Sequence, residues 1–242
     1  MRQPIPILTY HQVDTPPPRG TPYRGLVVSP AAFARQMALL RTLGYRGLSM
    51  TALEPFLRGE QTGKVVGITL DDGYVNNLQH ALPVLRRHGF SATCYVVSGQ
   101  IGGSNVWDHG KGIPPRPLMD DVQLKAWMAG GQEVGAHTRT HVDLLQADEA
   151  TERDEIAGCK RELEQRLGAE VRHFCYPYGA HSTGHAALVR AAGYATATTT
   201  VRSRAQRADD LFELPRVPVL RSTSLPVLWL KVATGYEDGK RR

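Results

Sequence analysis

Apolar residues along this chain fall into two alternating rhythms: short near-continuous runs, and longer stretches spaced every third or fourth residue. Residues 5–10 form a short apolar run ending at His11, followed by a proline-rich loop through Pro16-Pro17-Pro18. Ser29-Pro30 reads as a helix start, serine serving as N-cap and proline at the first helical position. Phe33, Met37 and Leu40 continue it at helical spacing, and Gly44 closes it. A strand near 45–49 and a helix over 52–58 lead to Val65, Val66, Ile68 and Leu70, which read as a buried strand. Beyond it the pattern predicts a helix over 76–88, a strand over 91–97 and a glycine- and proline-rich loop over 99–117. A helix over 120–129 and a strand over 133–136 follow. Ile156, Cys159, Leu163 and Leu167 mark the inner face of a long charged helix. Strands at 171–176 and 194–199 flank another helix, and a strand over 214–220 precedes a terminal helix over 225–233.

Strands alternating with helices at this spacing predict a parallel α/β architecture. No repeat or low-complexity tract divides the 242 residues, so a single domain over 1–242 is expected. Polar residues gather just after the strands, at His11, Asp71-Asp72, His137 and Pro177-Tyr178. In a parallel barrel the C-terminal strand rim holds the active site.

The net charge of +6 comes from dispersed arginines, dense only at Lys240-Arg241-Arg242. A nucleic-acid footprint clusters its basic residues with a recognition motif, and none is present; an anionic or membrane-proximal substrate stays compatible. Cys94, Cys159 and Cys175 are odd in number and embedded in apolar runs, which predicts buried free thiols in a reducing compartment. The first residues lack a leader's apolar core and cleavage site, and no run is long enough to span a bilayer, so a cytoplasmic location is expected. The apolar segment Leu225-Pro-Val-Leu-Trp-Leu230 is either a helix sealing the barrel or a peripheral membrane contact.

The chemistry centres on the end of the 65–70 strand, where Asp71 and Asp72 meet Gly73. Two adjacent carboxylates at the rim of a core are costly unless something cationic binds there. A solvated Asp-Gly turn is the plain alternative, but the preceding run is not one arm of an evident hairpin. His137 and His141 follow another strand. One helical turn there would place both imidazoles on one face, with Cβ atoms roughly 5–6 Å apart. With one aspartate they form a three-ligand set for a zinc-like ion, leaving room for water and substrate. The other aspartate is then free to act as a general base. A His-x3-His pair by itself is equally compatible with a surface or capping role.

Thr69-Leu70-Asp71-Asp72-Gly73, His137-Thr138-Arg139-Thr140-His141 and Arg172-His173-Phe174-Cys175-Tyr176-Pro177-Tyr178-Gly179 resemble, in order and spacing, the first three motifs of the polysaccharide deacetylases. This is the NodB-homology group, carbohydrate esterase family four. The resemblance implies a distorted (β/α)7 barrel and metal-dependent hydrolysis of N-acetyl groups on aminosugars. It implies Asp71 as catalytic base and Asp72, His137 and His141 as ligands of one divalent ion, zinc first, with cobalt, nickel or manganese also served. The Tyr178 backbone N–H is implied as oxyanion donor, in a loop shaped by Pro177 and Gly179. Where many members carry a motif-three arginine, this chain has Cys175. The family's last motif, an apolar strand ending in the general-acid histidine, has no clear C-terminal match. Ile7-Leu8-Thr9-Tyr10-His11 has the same form at the other end and resembles the permuted branch that includes poly-N-acetylglucosamine deacetylases. His11 is therefore the expected acid, unless it is simply a strand-end histidine bonded to its loop.

Arg216 is a candidate to replace the missing arginine, a surface ion pair being the alternative. Tyr74 and Trp107 are candidates to wall the sugar groove, and core packing accounts for them equally. The expected function is removal of an N-acetyl group from a GlcNAc-type sugar in an oligo- or polysaccharide or glycoconjugate. The alternatives are a deformylase or deacetylase of a lipid-linked sugar, and a catalytically silent sugar-binding module.

Overall fold

The computed structural model describes residues 4–241; residues 1–3, read above for the lack of a leader, and Arg242 of the basic tail lie outside the described residues. In chain order the elements are β1 (Ile7–Tyr10), β2 (Gln12–Val13), β3 (Val27–Val28), α1 (Pro30–Thr42), β4 (Arg46–Leu48), α2 (Met50–Leu57) and β5 (Val65–Leu70). There follow α3 (Leu82–His88), β6 (Thr93–Val96), α4 (Asp121–Ala129), β7 (Glu133–Ala136), α5 (Glu149–Arg153) and α6 (Cys159–Leu167). The last are β8 (His173–Cys175), α7 (Thr183–Ala191), β9 (Thr196–Arg202), β10 (Leu214–Pro218) and α8 (Leu225–Ala233).

β5, β6, β7, β8, β9, β10 and β1 pair in that order, and β1 pairs back onto β5, closing a parallel barrel of seven strands. β4 pairs only with the first half of β5, from Arg46↔Val65 to Leu48↔Gly67, while β6 pairs further along at Thr69↔Thr93. β4 is thus a spur outside the ring. The barrel is distorted because β9 passes to β10 without a helix and the register shifts between Leu214 and Arg216. This is the parallel α/β architecture expected from the sequence pattern, and the (β/α)7 barrel that the family resemblance implies.

Alternation along the strands sorts the core into two clusters. Leu8, Ile68, Leu70, Cys94 and Phe174 face the helix layer with Phe33, Met37 and Leu163. Ile7, Tyr95, Cys175 and Leu214 pack with Met50, Leu53 and Phe56 of α2. The start of α2 is tied to the beginnings of three strands: Met50 N–H donates to Thr93 Oγ1, Thr51 N–H to Glu133, and Thr51 Oγ1 meets His173 Nε2 at 3.0 Å. That end of the barrel is closed, so chemistry is confined to the opposite rim.

Two helices depart from the expected pattern. The helix expected over 76–88 opens as a π-turn over Asn77–Ala81 before α3. Pro83 lacks an N–H and its ring crowds the carbonyl four residues back, which widens that turn. The long charged helix is likewise split by a π-turn over Asp154–Gly158, although Ile156, Cys159, Leu163 and Leu167 do face inward. The three cysteines are buried and free. Leu228 and Val232 of α8 are core residues, and Trp229 is exposed on its other side. No helix among the described residues is long and apolar enough to cross a membrane.

The C-terminal segment is pinned by Glu237, which is fully buried and accepts from Lys231 Nζ and from Arg202 Nε at 3.0 Å. Burial opposes its ionisation, but the Lys231 and Arg202 contacts more than offset this and hold its carboxyl below the usual range. A depressed folded-state pKa contributes stability above the unfolded value of about 4.3, and that contribution is lost as pH falls through the folded value. Glu237→Gln is expected to destabilise the protein at pH 7 by about 1–3 kcal/mol. In urea titrations across pH, the gap from the wild type should close below roughly pH 4; a gap independent of pH would refute the assignment.

Candidate active site

β5 is buried along its whole length and delivers Asp71 and Asp72 to the open rim, where they are 3% and 6% exposed. Asp71 N–H still pairs with Tyr10 O at 3.0 Å, so its carboxylate follows the strand's alternation into the barrel. There it meets Arg216 of β10 in a two-pronged pair, Nη1–Oδ1 and Nη2–Oδ2 both 2.8 Å. The guanidinium is 2% exposed and also donates to Thr199 O, Thr69 Oγ1 and Cys175 Sγ. Burial alone would raise the Asp71 carboxyl; Arg216 above all, with His11 and His137, holds it below the ordinary range. Arg216 is thus a buried partner of Asp71 and no surface ion pair.

Asp72 turns the other way. Its φ of 77° is left-handed, a conformation aspartate tolerates, and Gly73 follows at 84°. Asp72 Oδ1 lies 3.5 Å from His137 Nε2 and 3.4 Å from His141 Nε2, yet has no hydrogen-bond partner among the described residues despite its burial. Ligands about 2.0–2.1 Å from a tetrahedral ion stand roughly 3.3–3.4 Å apart, so both carboxylate–imidazole separations suit a shared ion. The other ring nitrogens are committed. His137 Nδ1 lies 2.8 Å from Cys175 O, which can only accept, so in the neutral ring Nδ1 carries the proton and Nε2 offers the lone pair. His141 Nδ1 meets Tyr178 Oη at 3.1 Å.

The His137–His141 segment is not the helical turn inferred from its spacing. It is a loop in which Thr138 and His141 are left-handed, with φ of 61° and 63°. Glu155, carried to it by the π-turn, accepts from Arg139 N–H at 2.7 Å, Thr140 N–H at 2.9 Å and Thr140 Oγ1 at 2.6 Å. The imidazoles converge because that loop is held from behind. Five non-glycine residues among those described have positive φ, and Tyr23, Asp72, His141 and Tyr178 line one cavity while Thr138 separates the two imidazoles. Such strain persists only where surrounding contacts over-determine it, and it concentrates at functional sites.

That cavity, about 130 Å³, is walled by His11, Asp71, Asp72, Tyr74, Trp107, His137, His141, Tyr178 and Arg216 among others. Trp107 stacks on His141 with ring centroids 4.5 Å apart. Tyr74 is 2% exposed; burial pushes its phenol far above its usual value, and the neighbouring Asp72 charge adds to this. Tyr178 has φ of 58° in the Pro177–Gly179 turn, where a Cβ on Gly179 would fall 1.9 Å from Thr200 Oγ1. Pro177 is buried within that turn and is not part of the cavity wall. His11 Nε2 stands 4.0 Å from Asp71 Oδ2. Sequence reasoning missed Glu155, the Tyr178 hydroxyl and the stacking of Trp107 on a histidine, none of which has a signal in local spacing.

The family model for polysaccharide deacetylases matches residues 58–197, more than half of the chain. The chain belongs to the polysaccharide deacetylase family. Its relative YxkH of Bacillus subtilis (strain 168), which carries the family's name, is 26% identical over 217 residues, covering 89% of this chain and 71% of that protein. Among solved structures, the Streptococcus pyogenes deacetylase PplD in complex with acetate is 26% identical with a TM-score of 0.83, over 96% of this chain and 99% of that one. IcaB from Ammonifex degensii is 27% identical with a TM-score of 0.75, over 93% and 95%. Within the deacetylase chain, His11 and Arg216 lie outside the matched residues, one on each side.

Glu155→Ala would leave two backbone N–H groups and a hydroxyl without their acceptor. It is expected to cost about 1–3 kcal/mol of stability and to weaken the affinity for added divalent ions, if Asp72, His137 and His141 hold one, roughly 10–100-fold. Thermal unfolding and competition with a chromophoric chelator measure the two. Unchanged stability and unchanged ion affinity would show that the loop holds its shape without Glu155.

Proposed function

We propose that this deacetylase removes the acetyl group from an N-acetylaminosugar of the GlcNAc type with the help of one divalent metal ion. The observation that carries the reading is the division of two adjacent buried aspartates: Asp71 is held by Arg216, and Asp72 faces two imidazole nitrogens with an unpartnered oxygen. Asp72, His137 and His141 would hold the ion, for which their mixed nitrogen and oxygen donors suit zinc first and cobalt, nickel or manganese as alternatives. Bound there, the ion supplies Lewis-acid polarisation of an amide carbonyl and eases the ionisation of water.

The chain's own residues do the rest. Asp71 accepts a proton from the attacking water, and Arg216 keeps it ionised and aimed for that purpose. The Tyr178 N–H donates to the oxygen that gains charge as the carbonyl carbon becomes tetrahedral. His11, on the same wall as Asp71, gives a proton to the nitrogen as the C–N bond breaks, so that acetate and a free amine leave. Tyr74 and Trp107 close the wall and exclude water around the acetamido group. The Streptococcus pyogenes relative, a deacetylase solved in complex with acetate, supports the choice of acyl group.

Asp71→Asn is expected to lower acetate release from N-acetylaminosugar substrates by at least roughly 10³-fold while leaving bound zinc near the wild-type stoichiometry. Acetate assay and elemental analysis of the same preparation check this. Near-normal turnover would displace Asp71 from the role of base. Chelation should likewise abolish acetate release, with activity returning on addition of zinc or cobalt; full activity in chelator would remove the metal from the reaction.

A further inference from the structure

The mouth of the cavity carries cations that the chemistry above does not use. Arg24 is part of the cavity wall, and its Nε donates to Pro17 O at 2.6 Å, which fixes the guanidinium against the proline-rich loop. Arg221 is stitched beside it, because its backbone N–H donates to Gly25 O at 2.8 Å. Arg19 stands in the same loop, exposed like Arg221. Loss of hydration, and then repulsion from Arg221 and Arg19, push the Arg24 guanidinium below its usual value. Elsewhere around the mouth the cations are neutralised: Arg116 has Asp14 and Lys111 has Asp108, each at 3.6 Å. Among the described residues, Arg19, Arg24 and Arg221 form no ion pair.

Three like charges gathered without a counter-charge oppose folding, and an arriving anion relieves that repulsion. Guanidinium forks match phosphoryl oxygens in shape as well as charge. The cavity's 130 Å³ is well below the roughly 300–1,000 Å³ that encloses a whole small-molecule ligand. It admits an acetamido group and leaves the remainder of a substrate at the mouth, where these arginines are. A Cβ on Gly112 would lie 3.7 Å from Pro22, so the loop bearing Arg24 and the loop bearing Trp107 meet there and frame the entrance.

We propose that Arg19, Arg24 and Arg221 form a subsite for a phosphoryl group carried by the substrate, so that the protein acts on a phosphorylated N-acetylaminosugar conjugate in preference to a neutral glycan. The substrate preference rests on the deacetylase reading; the subsite itself is tested apart from it. Calorimetry with inorganic pyrophosphate should show binding to the wild type that weakens at least tenfold in Arg19→Gln/Arg221→Gln, whose side chains make no ion pair among the described residues, and also at least tenfold in Arg24→Gln. No binding to the wild type, or equal affinity in all three proteins, would overturn the subsite whether or not acetate is ever released.

Acetate release is then compared on three substrates: UDP-linked N-acetylglucosamine, polyprenyl-diphosphate-linked N-acetylglucosamine in vesicles, and a neutral N-acetylglucosamine oligosaccharide. At least a tenfold higher kcat/KM on one of the phosphorylated substrates is expected, with the double variant reducing that ratio at least tenfold. The favoured one of the two identifies nucleotide or lipid as the source of the phosphoryl group. Equal kcat/KM on all three, unaffected by the variants, would overturn the preference while leaving the deacetylase reading intact. Arginine-dependent binding to phosphatidylglycerol vesicles that contain no sugar, without any substrate preference, would assign these arginines to a membrane surface and also overturn it.

Discussion

The pair between Asp71 and Arg216 is the interaction on which the rim of this barrel depends. A carboxylate 3% exposed is untenable without a matched cation, and Arg216 answers it through two parallel bonds of 2.8 Å. The remaining guanidinium donors are satisfied by Thr199 O, Thr69 Oγ1 and Cys175 Sγ, so the cation is itself fully housed. β5 and β10 are not neighbours; β1 lies between them and pairs with both. The pair therefore ties strands from distant parts of the chain across the inside of the barrel, at the edge where β1 closes it.

With Asp71 so fixed, the adjacent Asp72 has a different fate, and the backbone decides it. Successive side chains of an extended strand point to opposite faces, so an extended Asp72 would turn away from the barrel axis. The left-handed φ at Asp72, followed by Gly73, rotates its carboxylate back toward His137 and His141. Two like charges in consecutive positions thereby face separate partners, Asp71 the Arg216 guanidinium and Asp72 the His137 and His141 imidazoles, without sharing either. The same left-handed device recurs at His141 and Tyr178. Three strands, β5, β7 and β8, lead into such turns, and Glu155 and Thr200 hold the last two in place through their hydrogen bonds.

The strand–helix alternation, the Asp71-Asp72 rim and the helix limits at Ser29-Pro30 and 225–233 could be read from the sequence because each follows from local chemistry: burial runs, caps and breakers. The conformation of 137–141 could not be read in the same way. A four-residue spacing bounds how far apart two side chains are, and a helical turn is only one way to meet that bound. Here the loop is shaped by Glu155, which comes from a π-turn whose position no periodicity reveals. Trp107 was visible as an aromatic in a loop, but its partner, an imidazole from another loop, is set by tertiary closure. Arg216 was legible as a candidate only, since nothing in Leu-Pro-Arg-Val-Pro states that its side chain turns inward.

Cys175 and Arg216 together account for how Asp71 meets a buried cation although position 175 carries a thiol. Cys175 on β8 and Arg216 on β10 flank β9, and Arg216 Nη2 touches Cys175 Sγ at 3.1 Å. A second arginine at 175 would compete for the space and the carboxylate that Arg216 already occupies. A thiol leaves that space open. Burial pushes its pKa far up despite the opposing influence of Arg216, so it stays neutral and does not draw the guanidinium away from Asp71. The positive fork facing Asp71 comes here from β10, and the small uncharged side chain of Cys175 on β8 leaves it room.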